Sequence, residues 1–218
     1  MTFSDLSIAI ILDVETTGRA PRRDRIVEIK MIKYDFQQQT VLECYFQQFN
    51  PHMPIAFMAQ KVNGLDVMDL QKAPNFECEA AKIKAFIGDL TIIGHRVAFD
   101  MAFMEAEFDR LRMQGIGLNP WLCTMEHVPR KISAHWQSYL SLQEAAIRAH
   151  VDVAMFGLPP EFVHVAKICG IALYFKRIED KPPQESRAQG APWRDLLNQP
   201  FVFWMFAAVL FLGFLAAI

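Results

Sequence analysis

Two carboxylates two residues apart, Asp13 and Glu15, close a run of apolar residues rich in Ile and Val that begins at Ile8. Such a run reads as a buried strand. Residues i and i+2 of a strand share a face, so both acids would project into one cleft. Like charges held that close call for a cation, and oxygen donors with room for water suit Mg2+ or Mn2+. Two such ions about 4 Å apart would serve in-line hydrolysis of a phosphodiester. The same spacing also describes two solvated acids at a strand end. A third acid, Asp100, ends the segment IGHRVAFD and precedes a stretch in which Phe103, Met104, Phe108 and Leu111 recur at helical spacing. It stands at a helix start, where a carboxylate either caps free N–H groups or joins the acid pair. The run TIIGH reads as the short strand that delivers it.

The elements that must position these acids follow from the order of hydrophobic runs. Three β-type runs near residues 8–12, 26–36 and 41–49 suggest an antiparallel meander. Helix-like and strand-like segments alternate after it. That order predicts an α/β fold with a mixed sheet flanked by helices. Residues 1–175 suffice for one domain with a sizeable core, and no internal repeat interrupts them.

On these residues the chain resembles the DEDD-type 3′–5′ exonuclease family, the epsilon-like and RNase T-like exonuclease domains. Its first motif, D-x-E-T-T-G, stands complete as Asp13-Val14-Glu15-Thr16-Thr17-Gly18. RRDRIVEI, with Glu28, matches the family's second strand, and FNPHMPI matches the proline-bearing loop after the third. KVNGL resembles the I-H-G-I segment, with Asn63 where a histidine is usual. The second motif, H-N-A-x-F-D, appears as His95-Arg96-Val97-Ala98-Phe99-Asp100, with Arg96 for the asparagine. Looser likeness continues through LCTM and YLSLQEAA, so that it spans residues 7–175. The resemblance implies a ribonuclease H-like sheet, with Asp13, Glu15 and Asp100 holding Mg2+ or Mn2+. It also implies nucleotide contacts from Thr16, Thr17, Asn63, Gly64, His95 and Phe99.

The family's third motif, H-x-x-x-x-D, supplies a general base and a further metal ligand, and here the pattern departs. No histidine of this chain has an aspartate five positions later. Ungapped alignment from Ser141-Leu142 puts Gly157 in the histidine slot and Phe162 in the aspartate slot. A shift of one residue offers Glu161 for the aspartate, and His164, close by on the same helix, could face the same cleft. Alternatively, Glu161 merely favours the first turn of a helix opened by Pro159-Pro160. A missing base costs about 10²- to 10⁴-fold in rate, so impaired turnover is expected.

From Phe201 to Ile218 the chain carries no charge, amide or hydroxyl. As a helix this run spans about 27 Å, near the roughly 30 Å of a bilayer's hydrocarbon core. It predicts a single C-terminal transmembrane anchor over residues 200–218, joined by a charged, Pro-bearing linker over 176–199. The N-terminus lacks the basic stretch and cleavage site of a signal peptide, which places the domain in the cytoplasm with the tail inserted. The net charge of −2 gives no bulk basic field for long nucleic acids. Arg19, Arg22, Arg23 and Arg25 offer local phosphate contacts or form a solvated loop. Four cysteines without a C-x-x-C pair argue against a zinc site or a disulfide framework.

The expected function is metal-dependent 3′–5′ hydrolysis of single-stranded DNA or RNA ends at a membrane. The alternative, from a different class, is an inactive exonuclease-fold module that binds nucleic acid or a protein partner there.

Overall fold

A computed structural model describes residues 1–127 and 140–181. Strands β1 (Ile8–Thr16), β2 (Ile26–Asp35) and β3 (Thr40–Gln48) form the antiparallel meander, and β4 (Thr91–Gly94) and β5 (Trp121–Cys123) add in parallel beside β1. The strand order is β3-β2-β1-β4-β5. The helices are α1 (Phe57–Asn63), α2 (Phe76–Ile87), α3 (Val97–Arg110), α4 (Leu142–Arg148) and α5 (Val163–Glu179). This is the expected mixed sheet flanked by helices. Helix α5 runs past residue 175, the expected end of the domain. Among the described residues no helix is long and apolar enough to cross a membrane. The predicted anchor at 200–218 and residues 182–199 of the predicted 176–199 linker lie outside the described residues.

Strand β1 is apolar almost throughout because it is covered on both faces. Ala9 and Ile11 pack with Ala145 of α4 and Val165, Ile168 and Cys169 of α5. Ile10, Leu12 and Val14 pack on the other face with Ile83 of α2 and Val97, Phe103 and Phe108 of α3. Asp13 and Glu15 have the parity of Ala9 and Ile11, so they belong to the α5 face. Helix α4 opens with a reciprocal cap: the Ser141 hydroxyl accepts from the Glu144 N–H, and the Glu144 carboxylate accepts from the Ser141 N–H.

The sheet leaves a gap at the acids. Strand β1 pairs with β4 only as far as Ile11 opposite Ile93. Asp13 and Glu15 lie beyond the last of these pairs, on a stretch of β1 that β4 does not cover. Ligand crevices form at such places, outside the carboxyl ends of parallel strands.

The loop after β1 is fixed from α3. Arg25 forks onto Glu107, donating from Nε to Oε1 at 2.8 Å and from its terminal nitrogen to Oε2 at 2.9 Å. Arg110 reaches the same carboxylate at 3.1 Å, and the Ile26 N–H donates to it at 3.2 Å. Arg25 is therefore committed to structure rather than to phosphate, whereas Arg19, Arg22 and Arg23 are exposed. Glu107 is only 1% exposed, and its charge-assisted bonds are of the stronger kind. Glu107→Ala should cost about 2 kcal/mol of stability in urea denaturation, because both arginines keep some access to water once released. A change within about 0.5 kcal/mol would deny the clamp any stabilising role.

Candidate active site

Asp13, Glu15 and His164 meet at the gap, while Asp100, the third acid expected there, stands outside their close group but near enough to feel the charges of Asp13 and Glu15. Asp13 and Glu15 come from the end of β1, Asp100 from the first turn of α3, and His164 from the first turn of α5. His164 Nδ1 donates to Asp13 Oδ2 at 3.2 Å and lies 4.0 Å from Glu15 Oε1. One ligand atom each from Asp13, Glu15 and His164 falls within 4.8 Å of the others.

Asp100 reaches the gap from the opposite layer. The residue at the N-cap of α3 is Arg96, and Asp100 caps nothing, so the capping alternative is set aside. Its carboxylate passes Gly94, where an added Cβ would stand 3.1 Å from Asp100 Oδ2 and 2.9 Å from Val97 Cβ. A glycine at the end of β4 thus gives the acid its passage. Arg96 takes a left-handed φ of 78°, a conformation that asparagine tolerates and most side chains resist. The arginine also lies 5.8 Å over the Phe99 ring.

The electrostatics are those of crowded acids short of positive charge. Burial raises the Glu15 pKa to about 7, with the Asp13 charge adding to the shift. Asp100, 6% exposed, is pushed well above the usual carboxylate range by burial, then by Asp13, with Cys123 and Glu15 adding. The His164 pKa is raised, first by its hydrogen bond to Asp13. Lys30, directly opposite Asp13 on β2, pairs with the buried Glu28 and partly offsets the Glu15 shift. Lys30 was not anticipated. The signal was available as the charges Glu28 and Lys30 at alternate positions in the apolar first half of β2, which a hairpin places beside Glu15 and Asp13.

The remaining expected residues are placed variously. Glu161 is exposed in a short 3-10 turn, residues Pro160–Phe162. It is not among the described residues that gather around Asp13. Phe162 is buried in the core and rests against Phe46, and Gly157 closes a turn at φ 59°. The Thr16 hydroxyl donates to the Gly18 carbonyl at 2.6 Å, and the Thr17 hydroxyl accepts from the Arg25 N–H at 3.0 Å. Both hydroxyls shape the loop after β1. His95 has both ring nitrogens engaged, Nδ1 with the Thr124 hydroxyl at 2.9 Å and Nε2 with the Leu140 carbonyl at 3.0 Å. Burial lowers its pKa, and it braces β4 against β5 and the chain before α4.

Asn63 donates to the Thr16 carbonyl at 3.4 Å, and Gly64 ends α1 in the left-handed conformation. The Ala56 N–H donates to the Thr17 carbonyl at 2.8 Å. Helix α1 is therefore tied to the end of β1 yet buries no residue of its own. It leaves Phe57, Met58 and Val62 76%, 61% and 79% exposed.

The sequence pattern of the exonuclease family matches residues 10–153, which include the acid pair and Asp100. The chain belongs to the DEDD-type 3′–5′ exonuclease family. Relatives within it include the DNA polymerase III epsilon subunit of Rickettsia prowazekii, 36% identical over 104 residues, covering 47% of this chain and 45% of that protein. The PolC-type DNA polymerase III of Halalkalibacterium halodurans is 27% identical over 117 residues, covering 54% of this chain and 8% of that one. The chain thus spans less than half the length of these curated relatives. Among solved structures, a product-bound exonuclease I superposes with a TM-score of 0.64 at 16% identity, over 79% of this chain and 44% of that one. Exonuclease X in complex with 5′ overhanging duplex DNA gives 0.58 at 18% identity, over 81% and 95%. At these identities the likeness is one of fold, the ribonuclease H-like exonuclease fold.

Proposed function

We propose that this protein is a divalent-metal-dependent 3′–5′ exonuclease that hydrolyses single-stranded DNA or RNA ends, with turnover limited by its altered third motif. The observation that carries the reading is the convergence of Asp13, Glu15 and His164 within 4.8 Å, with buried Asp100 beside them. The donor set fits a divalent cation: carboxylates whose mutual repulsion only added positive charge relieves. Bound there, the ion would acidify the attacking water and offset charge gathering on the phosphate. Asp13 and Glu15 would hold it from the sheet and Asp100 from α3, and His164 stands in for the group that the third motif supplies elsewhere in the family. Glu161, exposed in its turn, is the weaker substitute. The apolar residues of α1, tied to the end of β1, support binding of unstacked bases, since stacking and apolar contact accept any sequence.

Labelled single strands of DNA and RNA incubated with the protein in Mg2+ or Mn2+ should be shortened one nucleotide at a time from the 3′ end. Intact strands under every condition would remove the reading. The alternative, an inactive module that binds nucleic acid or a protein partner, draws support from Lys30 and His164. These two basic groups already offset part of the acid charge. Retained binding of strands without cleavage would favour it.

The charge-free run at 201–218 is proposed to tether the domain to a membrane, leaving the domain on the cytoplasmic side. The full-length chain should then stay with the membrane pellet through a high-salt wash, because apolar anchoring is not screened by salt. Its release into the soluble fraction would reject the tether.

A further inference from the structure

We infer that His164 is itself a metal ligand, and that it converts this cleft from an all-oxygen site into a mixed oxygen–nitrogen site selecting Mn2+, Co2+ or Zn2+ over Mg2+. This rests on the reading of the cleft as a metal site and adds which ion it takes and why. Ligand atoms each about 2.1 Å from one ion are separated by roughly 3 to 4 Å. His164 Nδ1 lies 3.2 Å from Asp13 Oδ2 and 4.0 Å from Glu15 Oε1, and all three ligand atoms fall within 4.8 Å. The group needs little rearrangement to close on a cation.

A second observation points the same way. Asp100 is only 6% exposed, and among the described residues its carboxylate has no hydrogen-bond donor. It faces the charges of Asp13 and Glu15. A buried carboxylate with no donor, turned toward two more, is a group that a bound cation would balance.

The choice of ion follows from the donors. Mg2+ demands near-ideal octahedral geometry and takes oxygen from carboxylates, phosphates and water. Imidazole suits the first-row transition ions and Zn2+. On ligation the proton that Nδ1 shares with Asp13 Oδ2 would leave to solvent, Nε2 would keep the ring's one proton, and the Nδ1 lone pair of the neutral imidazole would go to the metal. His164 is also held in place. It lies in the first turn of α5 just ahead of Val165, Ala166 and Cys169, whose burial in the core fixes the phase of the helix.

The test is metal binding by the full-length chain in detergent, read without reference to hydrolysis. Thermal unfolding is followed against graded Mg2+, Mn2+ and Co2+, together with the visible absorption of bound Co2+. Wild type should bind Co2+ and Mn2+ at least about tenfold more tightly than Mg2+. His164→Asp restores an all-oxygen site and should shrink that ratio about tenfold or more by strengthening Mg2+. His164→Asn keeps an oxygen without adding charge; it should lose the preference too, and it covers the case in which a further acid unfolds the protein. A preference unchanged in both variants, or a Co2+ spectrum identical with and without the imidazole, would overturn the inference. The same samples separate it from the reading beneath it. Selective binding with no strand cleavage by any ion removes the exonuclease reading and leaves the ligand assignment. Cleavage that is equally fast in Mg2+ and indifferent to His164 does the reverse.

Discussion

Asp13→Asn is expected to lower the rate of strand-end hydrolysis by about 10²- to 10³-fold and, in the same protein freed of metal, to raise the melting temperature by about 2 to 4 °C. The two effects share one cause. Asp13 is the acid that the other three groups face: it accepts from His164, and its charge adds to the upward shifts of Glu15 and Asp100. On the proposed reading that charge would hold a cation, and without one it is repulsion. Neutralising it would then remove a ligand and relieve the crowding. The lost bond to His164 subtracts little, since that side chain is 43% exposed and such pairs contribute about 0 to 1 kcal/mol. Sites that gain stability when their function is deleted are those built against local stability. Parallel nuclease assays and thermal scans in chelator decide the matter. Activity and melting temperature falling together would mean that the substitution simply unfolds the protein, and full activity would remove Asp13 from the reaction.

In chelator the protein should lose stability as pH rises from about 4.5 to 8, on the order of 2 kcal/mol in all, and a divalent cation should abolish the loss. Glu15 has a folded pKa of about 7 against an ordinary value of 4.5. Between those values the folded state holds a proton that the unfolded state has released, so folding weakens as pH climbs through the window. Asp100, raised well above 3.8, acts with the same sign from a lower starting pH. The raised pKa of His164 gives stability that is full below its unfolded value of 6.5 and lost as pH rises through the folded one. All three slopes agree in sign. Lys30 and its partner Glu28 act on Glu15 in opposite directions, the lysine lowering its pKa and the glutamate raising it. Urea denaturation at pH 5, 6.5 and 8, with and without Mn2+, measures the slope; stability rising with pH in chelator would contradict the crowded-acid account.

The acid pair and its common face were legible in the sequence because strand periodicity is a property of the backbone: residues two apart share a face wherever the strand ends up. The meander was legible for a related reason in β1 and β2, which bury most of their residues; β3, largely exposed at the sheet edge, was marked instead by its Val, Tyr and Phe after the polar turn at Gln37–Gln39. The helix carrying Asp100 could be read from the spacing of Phe103, Met104 and Phe108, although it begins earlier than expected, at Val97. Whether that acid capped the helix or met the others could not, because the answer depends on Gly94, a residue of β4 that leaves room for the carboxylate to pass.

The third motif shows the limit most sharply. Counting without gaps from Ser141 led to Gly157 and Phe162, but the chain there folds as two 3-10 turns, residues Val153–Phe156 and Pro160–Phe162, before α5 begins. Counting along the sequence does not measure distance through such turns. Gly157 closes the first, and Phe162 is drawn into the core. The residue that α5 brings to Asp13 is His164, from 151 positions away. Its place is set by the phase with which Val165, Ala166 and Cys169 pack on the sheet. The fates of Arg25, claimed by Glu107, and His95, claimed at both nitrogens, were decided the same way. Sequence carries the local periods and the chemistry of each side chain. Which charges face one another across the gap is fixed only when both sheet faces are covered, because the packing of apolar surfaces sets the register between elements.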